Sequence, residues 1–71
     1  MKPALVTVST ERVNNVATGA RFRAYRLRAG VSLREIARRM GVSAPHLHNL
    51  EMGDRAWTAA VMSRAVAAVD Q

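Results

Sequence analysis

Asn49, with His46 and His48 just before it, and a set of ten arginines are the side chains of this chain best equipped for chemistry. The Asn49 amide accepts through its oxygen and donates through its nitrogen, so it can satisfy a partner that presents a donor beside an acceptor. Each guanidinium is a planar fork that grips phosphate or carboxylate through paired hydrogen bonds. Eleven basic residues against five acidic ones leave a net charge of +6, a balance that favours a polyanionic partner. Charge alone also admits a plainer reading, in which arginine reflects a GC-rich genome and a solvated surface. His46 and His48 lie two residues apart, a spacing that sends them to different sides of a helix and is wrong for a helical metal pair. The acidic residues are scattered without pairing, and the chain carries no nucleophile elbow and no glycine-rich phosphate loop. No catalysis, cofactor or metal is therefore expected.

Positioning these groups falls to a short helical chain. Leu33, Ile36, Ala37 and Met40 recur at the spacing that lines one face of a helix turning every ~3.6 residues. Gly41 can take the left-handed conformation that ends such a helix, Val42 fills the corner, and Ser43 can cap the next helix with its hydroxyl. Pro45 fits the first turn of that helix, where no hydrogen bond is lost. Leu47 and Leu50 give it a narrow buried stripe and leave the rest of its surface for a partner. The spacing predicts four helices. The first starts near Glu11, capped by Ser9 or Thr10, and ends near 28–30; its stripe is Val13, Val16, Ala17, Ala20, Ala24 and Leu27, with Gly19 as an interruption. The second runs from about Leu33 to Met40 and the third from about Ala44 to Met52. The fourth begins after Trp57 with Thr58 as its cap, where Trp57 and Met62 are placed to clamp the helix start. Leu5, Val6, Thr7 and Val8 favour β structure. A flexible arm, an edge strand paired with its copy, and a segment packed on the body remain open for residues 1–9. Residues 10–71 form one domain, since 71 residues are too few to divide.

Ile36-Ala37, Gly41-Val42-Ser43, Leu47, Leu50-Glu51, Gly53 and Arg55 resemble the Cro/C1-type helix-turn-helix family, which includes lambda-repressor-like domains. Gly19, Arg21-Phe22-Arg23, Tyr25-Arg26 and Gly30-Val31-Ser32 are similar to that family's first helix and its lead-in to the second. The resemblance covers residues 19–69. It implies an all-α fold, a small four-helix lambda-repressor-like domain with a short N-terminal arm or extended segment and a helix-turn-helix unit at 32–52. The family usually closes with a fifth helix, and this chain is expected to end too soon to supply one. Residues 1–18 have no family counterpart.

The resemblance further implies double-stranded DNA as partner. A helix about 10–12 Å across fits the major groove of B-DNA. In similar proteins the positions of Ala44, Pro45, His46, His48 and Asn49 face bases or the adjacent backbone. Asn49 is the leading base reader, because its amide matches adenine N6 and N7, a discrimination worth roughly 1–3 kcal/mol; a solvated asparagine is the plain alternative. Ala44 and Pro45 offer only apolar contact to a thymine methyl, and His48 is assigned to bases. Ser43, His46, Arg34, Arg38, Arg39 and Arg55 are assigned to phosphates, which fix register on the duplex. For Arg21, Arg23 and Arg28 on the first helix, solvent is the expected role of at least some, and a phosphate role stays open for the others. Similar proteins often carry a phosphate-gripping glutamine just after the cap of the second helix. Here Leu33 stands there, expected to pack inward while Arg34 or Arg38 compensates. Arg26 and Glu51 occupy positions where the resemblance implies a partly buried ion pair joining the first helix to the end of the third.

The expected core is Phe22, Tyr25, Ile36, Ala37, Met40, Val42, Leu47, Leu50, Trp57, Val61, Met62 and Val66. On the fourth helix Ala65, Val66, Ala68 and Val69 are expected to stay partly exposed, a strip that invites pairing. A two-fold homodimer would then present two reading helices to palindromic half-sites ~34–36 Å apart. The absence of cysteine fits a reducing cytoplasm. No apolar run is long enough to span a membrane, and the basic start lacks the continuation of a signal peptide. Together these point to a cytoplasmic, nucleoid-associated, sequence-specific transcriptional regulator, by analogy a repressor or autoregulator of phage or mobile-element type. The alternative is a protein-interaction module such as an antitoxin or inhibitor, in which DNA binding is secondary. RNA binding through the arginines is less favoured, since no aromatic platform is evident.

Overall fold

The computed structural model describes the backbone of residues 4–71 and the side chains of residues 14–71. Among them are four helices and no strand: α1 (Ala4–Arg28), α2 (Leu33–Met40), α3 (Ala44–Met52) and α4 (Ala59–Val69). The bounds of α2, α3 and α4 follow from local chemistry. Ser32, Ser43 and Thr58 each hold extended backbone, and each hydroxyl accepts the N–H of the residue three positions on, at 3.1 Å. That bond satisfies one of the donors a helix start leaves open.

The helix ends are equally local. At Gly41, φ is +76°, its N–H reaches the Arg38 carbonyl and the Val42 N–H reaches back to Ala37. A side chain at this position would be strained, which is why a glycine forms the corner between α2 and α3. Gly30 and Gly53 close α1 and α3 with the same pair of bonds.

The first helix departs from expectation. It begins at Ala4 rather than near Glu11, so residues 5–8 are helical backbone instead of an extended or edge-strand segment, and Ser9 and Thr10 lie inside the helix rather than capping it. Met1 to Pro3 and the side chain of Val13 lie outside the described residues. β-propensity is a weak preference, set mostly by packing, and extending a helix already nucleated is far easier than starting one. Gly19 does not interrupt α1. A Cβ at Gly19 would stand 2.5 Å from the carbonyl oxygens of both Leu50 and Glu51, so its bareness is what lets α1 cross the end of α3.

Ile36, Leu47 and Leu50 are fully enclosed, joined by Phe22, Ala37, Met40, Ala65, Ala68 and Val69. Trp57, Val42 and Val61 pack against this core half-buried. The strip expected to stay exposed on α4 is mostly inside: Ala65, Ala68 and Val69 are buried, because α4 lies against α2 and α1 and its small side chains permit close approach. Two residues expected in the core are on the surface instead. Met62 is 37% exposed, and Tyr25 is 39% exposed, its hydroxyl donating to Asp70 at 2.6 Å. That bond raises the tyrosine pKa. Both border an apolar groove of about 250 Å³ between α1 and α4, floored by Phe22 and Val66.

Candidate nucleic-acid interface

The two faces of α3 differ sharply. Leu47, Leu50 and Glu51 are buried, whereas Pro45, His48 and Met52 are exposed and Asn49 is half-exposed on the same outer side. Turning 100° per residue, positions 45, 48, 49 and 52 form one continuous stripe. This stripe combines two apolar groups with an imidazole and an amide. Ala44 packs against the core at the edge of it, and His46 lies half-buried at the other margin. Met52, 54% exposed, was not singled out by sequence reasoning. Its i, i+4 relation to His48 was the signal, hidden because an apolar residue at helical spacing reads first as core.

The α2–α3 corner fixes how this stripe is presented. At the start of α3 the Ser43 hydroxyl oxygen accepts from His46 N–H, Pro45 has no N–H, and Ala44 supplies the remaining first-turn amide. An anion at this end would therefore meet that amide and the Ser43 hydroxyl proton rather than a full set of free N–H groups.

Arginines surround the corner in two different conditions. Arg34 and Arg55 are exposed. Arg38 is exposed as well but paired with Glu35, through Nε at 3.1 Å and through its terminal nitrogen. Arg39 is not free for an outside partner: its Nε meets Glu35 at 2.9 Å and another nitrogen donates to the Ala68 carbonyl at 2.8 Å, tying α2 to the end of α4. Arg64 returns the tie from α4 to the Met40 carbonyl at the end of α2. A cation at each helix C-terminus also favours the local dipole. The hydrogen bonds from Arg38 and then Arg39 pull the Glu35 carboxyl down to about 2. Leu33 packs half-buried against the core.

Behind α3, Arg26 and Glu51 form a buried bidentate pair, with Nε to Oε2 at 2.7 Å and the second bond at 3.1 Å. A third nitrogen of Arg26 donates to the Val31 carbonyl at 2.9 Å. Every buried side-chain nitrogen and oxygen among the described residues has a partner. The pair therefore belongs to the frame that fixes α3 against α1, while the outer stripe is left uncommitted.

A helix-turn-helix domain model matches residues 17–70. The chain belongs to the helix-turn-helix domain family. In such domains the second helix of the pair lies in the major groove and the first crosses the backbone; α3 stands in the position of the second helix here and α2 in that of the first. No curated protein and no solved structure matches the chain. Among the described residues, no helix is long and apolar enough to cross a membrane and no group of three or more His, Cys, Asp or Glu side chains is placed to hold a metal ion.

Proposed function

We propose that this protein is a sequence-specific, double-stranded DNA-binding transcriptional regulator of the Cro/C1 type, acting in the cytoplasm without catalysis or cofactor by occupying an operator and blocking polymerase. The observation that carries the reading is the outer stripe of α3, exposed along Pro45, His48, Asn49 and Met52 while the helix's inner side is locked by Leu47, Leu50 and the Arg26–Glu51 pair. Asn49 and His48 read base edges, with Pro45 and Ala44 against thymine methyl groups. Ser43, His46, Arg34, Arg38 and Arg55 hold phosphates on either side of the groove. A repressor or autoregulator of phage or mobile-element type is the role that small stand-alone proteins of this kind suggest by analogy.

The working form is a homodimer on a palindromic site. Since α4 buries Ala65, Ala68 and Val69, the pairing surface in this reading is the outer side of α1, where Val16, Ala17, Ala20, Ala24 and Leu27 are all exposed. The same surface supports the second reading, a protein-interaction module whose DNA binding is secondary. Equilibrium binding to duplex DNA from upstream of the protein's own gene, against a scrambled duplex of equal length, separates the two. Preference for the upstream duplex is expected; equal binding to both sinks the regulator reading.

A further inference from the structure

The Glu35 carboxylate sits on α2 at the flank of the proposed DNA-binding surface, an unfavourable place for a negative charge that must approach phosphates. Both oxygens of this carboxylate are engaged by arginines. Oε1 accepts from Arg38 Nε, and Oε2 accepts from the Arg38 terminal nitrogen and from Arg39 Nε. Arg38 is held through the same Nε edge of its fork that a phosphate would use. Its side chain is nonetheless 72% exposed, so solvent and ions reach the pair and it is readily exchanged.

The sequence offers Glu35 a second partner. Ser32-Leu33-Arg34-Glu35 has the pattern of a capping box, and the Ser32 hydroxyl already accepts from the Glu35 N–H. The reciprocal half of that motif would bring the Glu35 carboxylate back to the Ser32 N–H; here it is turned forward to Arg38 and Arg39.

Resting on the DNA-binding reading, we propose that Glu35 is a specificity-determining residue: it withholds Arg38 from phosphate in sequence-independent encounters and yields it when α3 is seated on its site. Biological selectivity depends on the ratio of specific to non-specific affinity, and non-specific affinity comes almost wholly from phosphate contacts. Withholding one arginine lowers the second without touching the bases. The carboxyl stays ionised at any physiological pH, given its depressed pKa of about 2, so pH does not switch the restraint.

The test compares affinities for the upstream and scrambled duplexes at 50 and 200 mM salt. Glu35→Gln is expected to tighten binding to the scrambled duplex and steepen its loss over that salt range about 3.5-fold, the effect of one added phosphate at a slope of about 0.9. Asp70→Asn makes the same change in net charge away from Arg38 and is expected to give much less. Combining Glu35→Gln with Arg38→Ala should abolish the gain. Arg38→Ala alone, at an exposed position, should weaken the upstream complex several-fold and leave the scrambled one nearly unchanged. The inference is overturned if Glu35→Gln and Asp70→Asn behave alike, if the gain survives removal of Arg38, or if Arg38→Ala weakens both duplexes equally. Wild-type protein that binds neither duplex would remove the DNA-binding reading and this inference together, whereas wild-type binding with inert variants removes this inference only.

Discussion

One guanidinium, that of Arg26, holds together the three segments that orient α3. It bridges Glu51 on α3 and the Val31 carbonyl in the turn before α2 from its place on α1. Both charged side chains are nearly sealed, at 6% and 2% exposure. Removing the Glu51 charge leaves the Arg26 guanidinium buried without its counter-ion, at a cost of about 3–5 kcal/mol, whereas Glu51 has a second cation in Arg23, whose Nε lies 4.0 Å from it. Glu51→Gln is therefore expected to lower the melting temperature by roughly 12 °C or more, taking about 4 °C per kcal/mol for a domain of this size. Replacing both partners with apolar residues, Arg26→Met with Glu51→Leu, should cost less than Glu51→Gln alone; an equal or larger loss would show that the pair adds net stability. At this scale the identities of the exposed arginines and of Asn49 were legible from their types. The restraint of Arg38 and Arg39 by Glu35 was not, since an acidic residue three and four positions before two arginines reads as an ordinary solvated helix pair.

The elements were legible wherever a local signal marks them. Capping hydroxyls at Ser32, Ser43 and Thr58 and a glycine after each of α1, α2 and α3 are properties of a few adjacent residues, so the sequence displays them directly. The extent of α1 and the burial of α4 depend on what packs against what, and single-residue propensities carry little of that. Gly19 shows the limit well. Read alone it weakens a helix by about 1 kcal/mol relative to alanine, but in place it is where α1 meets the Leu50 and Glu51 carbonyls. Gly19→Ala should therefore destabilise the fold by about 1–3 kcal/mol, the usual range for overpacking against atoms that cannot move aside. Chemical denaturation would show it as a lower midpoint with an unchanged slope. A raised midpoint would mean that α1 can shift away from α3 without loss.

At the scale of the whole molecule, two surfaces lie on opposite sides of the frame. The inner side of α3 packs toward α1, so its outer stripe faces away from α1, and on α1 the exposed apolar stripe lies opposite the side that carries Gly19, Phe22 and Arg26, with Val16 at its margin against Gly53. That α1 stripe, with Leu27 at 51% and Val16 at 43% exposure, is bordered by exposed Arg21, Arg23 and Arg28. Pairing two copies through it brings like charges together, and salt relieves that repulsion. Sedimentation equilibrium should then show dimerisation strengthening from 50 to 500 mM salt, opposite to the trend for DNA; monomer throughout at tens of micromolar would count against the dimer. In the proposed function α3 reads bases through Asn49. The most direct test is binding of wild type and Asn49→Ala to the upstream and scrambled duplexes at two salt concentrations. Wild type is expected to prefer the upstream duplex and Asn49→Ala to lose roughly 1–3 kcal/mol of that preference, with its binding to scrambled DNA unchanged. An Asn49→Ala protein that keeps the full preference, or a wild type with none, would contradict this role of Asn49.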